Sequence, residues 1–243
     1  MTALRARRLD RTLTSALPAV DPMDEQAVGP TGLAALDARI GGGLPRGHLS
    51  EIVGPRSSGR TSLLLHLMAE ATRRGELVAL VDALDMMDVA SADAAGVALS
   101  RLLWIRGHVV TNPGLCRDLN QRAMEQAVKA LGLVLQAGNF GLVVLDLGEA
   151  PADAIARLPF TTWLRLQRMV EGSQTMCVLV GHAPMSRSAA GVSIKLRPSE
   201  VSGARFAGRL FDGLTLEACV ARARVQATYS TALPLGTRVA RHV

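Results

Sequence analysis

The chain has 243 residues, of which 49% are hydrophobic, so it has the length of one large domain and can bury a sizeable core. Its net charge of +6 is almost entirely arginine, with Lys129 and Lys195 the only lysines, and with 3% aromatics it is poorly suited to be a base-stacking platform for single strands. Apolar runs such as "FGLVVLDL" and "MCVLVG" fall far short of the roughly 18 residues of a membrane helix, and Cys116, Cys177 and Cys219 lack the spacing of a disulfide framework or zinc site; a soluble cytoplasmic protein without a membrane partner is expected.

In chain order, residues 1–17 carry Leu4, Leu9, Leu13 and Leu17 among Arg5, Arg7, Arg8 and Arg11. This spacing is close to that of a helix with one basic face and predicts a docking helix, in which Leu4, Leu9 and Leu13 make buried contacts while Arg5, Arg8 and Arg11 steer toward an acidic surface. The alternative is a frayed, solvated terminus. Residues 18–27 are polar, carry prolines and read as a linker. The main domain, 28–227, opens with a short helix that stops at Gly41–Gly43 and leads through "LPRG" into an apolar strand at about 48–53.

Strands and helices then alternate. A helix at about 61–74 is followed by the strand "LVALVDA", a helix at about 88–96 and the strand "RLLWIRG". A long amphipathic helix starts at Asn112-Pro113, carries Leu115, Leu119, Ala123, Ala127, Leu131 and Leu135, and stops at Gly138. "LVVLDL" and "MCVLVG" are too uniformly apolar for a half-exposed sheet, as parallel strands covered on both faces should be. The expected fold is α/β: a mostly parallel twisted sheet covered by helices, with "SIKLRP", "LTLEACV" and "ARVQATY" as antiparallel strands extending one edge. Residues 228–243 read as a C-terminal tail with Arg238 and Arg241, either solvated or a second docking segment.

Between the first buried strand and its helix lies "GPRSSGRTS", Gly54 to Ser62. It meets the phosphate-loop pattern G-x-x-x-x-G-K-[ST] except that Arg60 stands where the lysine belongs. Gly54 and Gly59 permit the tight turn, the loop through Ser57 and Ser58 aims amides at one anion, and Thr61 or Ser62 offers a hydroxyl to a magnesium ion. Arg60 keeps the charge but replaces a compact ammonium with a bulky planar fork.

"LDARIGGGLPRGHLSEIVGPRSSGRTSLLLHL", "ALVDA" and "LVVLDL" together resemble the core of the RecA recombinases, over about residues 28–225. Within that superfamily, "GRTSLLL", "GVALSRLLWIRG" and "NFGLVVLDLGE" look most like the ImuA-type proteins linked to SOS mutagenesis and translesion synthesis. The resemblance implies a RecA-like core, with RecA and a Y-family polymerase-like subunit of the ImuB type as partners. It also places the recombinase's water-activating glutamate on Leu84, two residues after Asp82, with the adjacent Asp85 a lesser alternative. The magnesium-binding aspartate falls on Asp146, for which capping the following turn is an equal reading, and the γ-phosphate sensor falls on His182, which at a strand end is more often a solvated or capping histidine. The DNA-contacting loops are reduced to "GEAPADAIARLPFTTW" and "APMSRSAAG", the second with only Arg187 as a cation, so direct DNA binding is expected to be weak and non-specific.

The expectation is therefore a catalytically degenerate adaptor that requires no cofactor, has weak or absent ATPase activity, and whose loop, with Thr61 and Asp146 as metal ligands, is a vestigial or weak site for magnesium and ATP. An ATP-dependent DNA-binding RecA paralogue and a cell-division inhibitor of the SulA kind are the alternatives.

Overall fold

The computed structural model describes residues 27–107, 117–186, 191–202, 213–222 and 232–236. The docking helix with Leu4, Arg5, Arg8, Leu9, Arg11 and Leu13 lies outside them, as do most of the linker, the Asn112-Pro113 helix start, Arg187, "ARVQATY", Arg238 and Arg241.

A two-residue ladder, β1 (Val28–Gly29) against β2 (Leu44–Pro45), encloses α1 (Ala34–Ile40), and the chain then enters β3 (His48–Val53). Helix α1 ends because Gly41 adopts φ +81° and returns its amide to the Asp37 carbonyl, a left-handed cap that suits glycine. There follow α2 (Arg60–Arg73), β4 (Val78–Asp82), α3 (Val89–Ala94), β5 (Leu102–Arg106), α4 (Arg117–Ala137), β6 (Leu142–Asp146), α5 (Ala152–Ala156), α6 (Phe160–Val170), β7 (Met176–Gly181), β8 (Ser193–Ser202), β9 (Gly213–Arg222) and β10 (Leu233–Gly236). The last eight strands form one sheet among the described residues, in the order β10-β9-β8-β3-β7-β6-β4-β5. Neighbours from β8 to β5 pair in parallel; β9 and β10 add antiparallel. This is the expected α/β architecture with its antiparallel edge.

Alternation along each central strand divides the core in two. Ile52, Val78, Leu80, Leu142, Val144, Met176, Val178 and Val180 pack with α1 and α2 on one face. Leu49, Ala79, Val81, Val143, Leu145, Cys177 and Leu179 pack with α4, α5 and α6 on the other. Both faces are covered, so the strands read as unbroken apolar runs, and each large side chain buried in this way contributes about 1.5–3 kcal/mol. Burial also pushes the Cys177 thiol up to about 12, so that cysteine is inert core.

Three segments differ from the sequence expectation. "SIKLRP", expected among the antiparallel strands, lies in β8, which runs parallel to β3 and antiparallel to β9. "GEAPADAIARLPFTTW", read as a shortened loop, instead folds into α5 and the start of α6, with Pro151 and Pro159 in the capping positions where the missing amide costs nothing. Leu233–Gly236, assigned to the tail beyond 227, is the outermost strand, pairing Leu233 with Ala218 through Gly236 with Thr215. No helix among the described residues is long and apolar enough to cross a membrane.

Candidate functional site

The parallel strands end together, because register aligns Asp82 with Asp146, Asp146 with Val180, and Val53 with Gly181. At that common rim the Gly54 amide donates to the Gly181 carbonyl (3.2 Å) and the chain turns into the loop. Gly54 has no room for a side chain: a Cβ would lie 2.6 Å from the Leu196 carbonyl oxygen. Ser57 adopts φ +58° and Gly59 φ +85°, the left-handed conformations that reverse the chain before α2. The head of α2 is thereby aimed along the rim, where its first amides lack partners within the helix.

A cleft of about 200 Å³ opens beside it, lined by Arg60, Thr61, Leu84, Asp146, Gly148 and Glu149 among others. Of the two candidate hydroxyls, Thr61 lines this cleft, whereas Ser62 is exposed and does not. Ser58 is buried and its Oγ has no hydrogen-bond partner.

Arg60 does not extend into solvent. It is 6% exposed, its Nη2 lies 3.4 Å from Glu149 Oε1, and its Nη1 is buried without a hydrogen-bond partner. Burial lowers the basicity of this guanidinium, opposed by the attraction of Glu149 and Asp146. Gly148 leaves room for it, since a Cβ there would come within 3.4 Å of Nη1. Arg56, whose side chain is 73% exposed, reaches the other oxygen of the same carboxylate, 2.5 Å from Glu149 Oε2.

Asp146 ends β6 beside the cleft. Its Oδ1 accepts the Gly148 amide (2.8 Å), which caps the turn, and the residue also lines the cleft. Desolvation pushes its carboxyl up to about 6, with the Gly148 amide and the Arg60 charge pulling the other way and Asp82 and Glu149 adding to the rise.

Leu84 is buried in the cleft wall. Asp82 is committed to structure: it accepts the amides of Met86 (2.9 Å) and Met87 (2.8 Å) and the Trp104 indole N–H (3.2 Å). Asp85 is held at φ +59° with both carboxylate oxygens 2.7 Å from Arg106, whose guanidinium stacks on Trp104. The lesser alternative, Asp85 standing in for a water-activating glutamate, therefore does not fit this geometry.

His182 follows β7 at the rim and lines a separate groove of about 600 Å³ with Ile155, Phe160, Trp163 and Met185. Burial lowers its proton affinity and the nearby charge of Arg60 lowers it further, with Glu149 pulling the other way and Arg56 adding to the fall.

Three residues of this region were not singled out from sequence. Arg56 and Glu149 are ordinary charged residues until the fold joins them, and Glu51 is a lone acid in an apolar strand. Glu51 is 2% exposed, and its Oε1 accepts the amides of Met185 and Ser186 (2.7 Å each), tying β3 to the loop after β7. An acid inside "HLSEIV" was the one signal available in the sequence, since a buried carboxylate must find donors.

The glycine turns and the free donors fit a phosphate group, but the two loop cations already share a carboxylate, and the cleft is smaller than an ordinary small-molecule pocket of about 300–1,000 Å³.

Sequence similarity to known proteins covers the loop at the head of α2. The chain matches the RecA N-terminal domain over residues 17–153. It is 33% identical to Protein RecA of Desulfovibrio desulfuricans over 177 residues, which are 67% of this chain and 45% of that protein. It is 41% identical to Protein RecA of Clavibacter michiganensis over 121 residues, 49% of this chain and 30% of that one. The chain thus spans less than half the length of these curated relatives. With more than half of its residues inside the family model, and with a glycine-rich loop at the head of the expected helix, this chain belongs to the RecA family.

Proposed function

We propose that this chain is a catalytically quiet RecA-fold adaptor in damage-induced mutagenesis and translesion synthesis, of the kind the ImuA-type resemblance suggests. Its activity lies in holding protein partners together: a RecA recombinase and a Y-family polymerase-like subunit of the ImuB type. The observation that carries this reading is Leu84 in the cleft wall with Asp85 bound to Arg106, because the cleft then offers no carboxylate at the position from which the recombinase activates water. Arg60 in place of lysine supports it further, since a guanidinium packed against Glu149 is badly placed to cradle terminal phosphates.

Affinity capture with purified RecA and the polymerase-like subunit tests the reading. Retention of both partners, unchanged by adding or removing ATP, is expected; failure to retain either would refute the adaptor role.

The alternative, an ATP-dependent DNA-binding paralogue in recombinational repair, is favoured by the complete glycine spacing and by Thr61 and Asp146 sharing the cleft. Fluorescence anisotropy separates the two. The adaptor binds single strands weakly and loses them steeply as salt rises, whereas tight binding at physiological salt that strengthens with ATP would favour the paralogue.

A further inference from the structure

Glu149 belongs to no phosphate-binding pattern, yet it meets both cations of the loop. One oxygen lies 2.5 Å from Arg56 and the other 3.4 Å from Arg60. A phosphate at the head of α2 would call on the same two guanidinium groups. Buried donors nearby remain unsatisfied, namely Arg60 Nη1 and Ser58 Oγ. The carboxylate is held there by a tight turn: Gly148 donates to Asp146 Oδ1 (2.8 Å), the Ala150 amide to the Leu147 carbonyl (3.0 Å), and Leu147 and Ala150 are both buried.

We propose that Glu149 is a built-in counter-ion that occupies the anion seat of the loop, so that a phosphate-bearing ligand enters only by displacing its carboxylate. The inference rests on the reading of the cleft as catalytically quiet. A tethered carboxylate competes at an effective concentration of about millimolar or more, with no association cost. It also cancels the charge of the loop locally: Arg56 and Arg60 face Glu149 and Asp146, so little net attraction remains for a polyanion. A carboxylate paired to both loop cations is a poor candidate for activating water, since its lone pairs already face guanidinium donors.

The test uses the full chain as wild type, Glu149→Gln and Glu149→Asp, with inorganic pyrophosphate and ADP as probes in calorimetric titrations and thermal melts. Glu149→Gln is expected to bind pyrophosphate about tenfold tighter or more, to melt below wild type without anion, and to recover with pyrophosphate. Glu149→Asp, too short to reach both arginines, should fall between. If folded Glu149→Gln binds no tighter than wild type, the proposal is overturned. Should the glutamine variant fail to fold, the aspartate variant decides, tighter binding supporting the proposal and unchanged or weaker binding overturning it. Phosphate release measured in parallel separates this inference from the reading it rests on. Silent wild type with unchanged Glu149→Gln affinity removes the counter-ion and leaves the quiet cleft; robust wild-type turnover lost in Glu149→Gln removes both and makes Glu149 catalytic.

Discussion

Asp146 shows how one side chain's surroundings become a measurable property of the chain. Its carboxyl is raised from 3.8 to about 6, chiefly by desolvation. The folded chain therefore holds this proton more tightly than the unfolded chain, and stability from this group falls as pH climbs from about 4 to about 6 and is flat above. Asp146→Asn keeps an oxygen for the Gly148 amide and removes the charge. It should be more stable than wild type at pH 7 by about 1–3 kcal/mol, with the difference vanishing below pH 4, as urea unfolding at several pH values would report. The position of Asp146 was legible because an apolar run ending in aspartate is a strong pattern. The Arg56–Glu149–Arg60 cluster was not, because an ion pair between residues some ninety positions apart depends on which strands lie side by side.

At the level of elements, the parallel core was readable for a physical reason. Strands covered on both faces leave continuous apolar runs, and each was bounded by glycine or a charged strand end. Short edge elements carry no such signal. β10 has four residues including Pro234, tolerated because an edge strand need not donate every amide, and β1 with β2 is a two-residue ladder. Leu44 of β2 and Leu233 of β10 reach the apolar core, and a buried polar cluster adds to what holds β1 and β2. At the rim opposite the loop, Glu76 is buried against Arg46 (2.7 Å) and Arg74 (3.2 Å), Arg46 Nη1 donates to the Gln174 carbonyl (2.7 Å), and Arg74 Nη1 to the Pro30 carbonyl (2.8 Å). Gly141 leaves room for that carboxylate, since a Cβ would fall 2.4 Å from Glu76 Oε2. Removing one member of a buried pair strands the other charge, so Glu76→Ala should cost about 3–5 kcal/mol. Guanidinium unfolding checks this against Glu70→Ala, whose partner Arg73 is largely exposed and whose loss should cost well under half as much.

For the whole molecule, the described residues build the loop, the cleft and the sheet, and partner binding is the property to test. Residues 1–17 are the segment to test first, because their leucines and arginines recur at close to helical spacing. Deleting them should leave circular dichroism native and weaken binding to RecA, while sparing the polymerase-like subunit. Unchanged binding to both partners would rule the docking helix out. The family was legible from the loop and strands taken together, whereas the adaptor role rests on what the cleft lacks, and that is best tested by turnover. Phosphate release from ATP by the purified chain, with and without single-stranded DNA, should be no faster than background for wild type and for Arg60→Lys, because restoring the lysine restores no water-activating carboxylate. Robust release by wild type that Gly59→Asp abolishes would contradict the account.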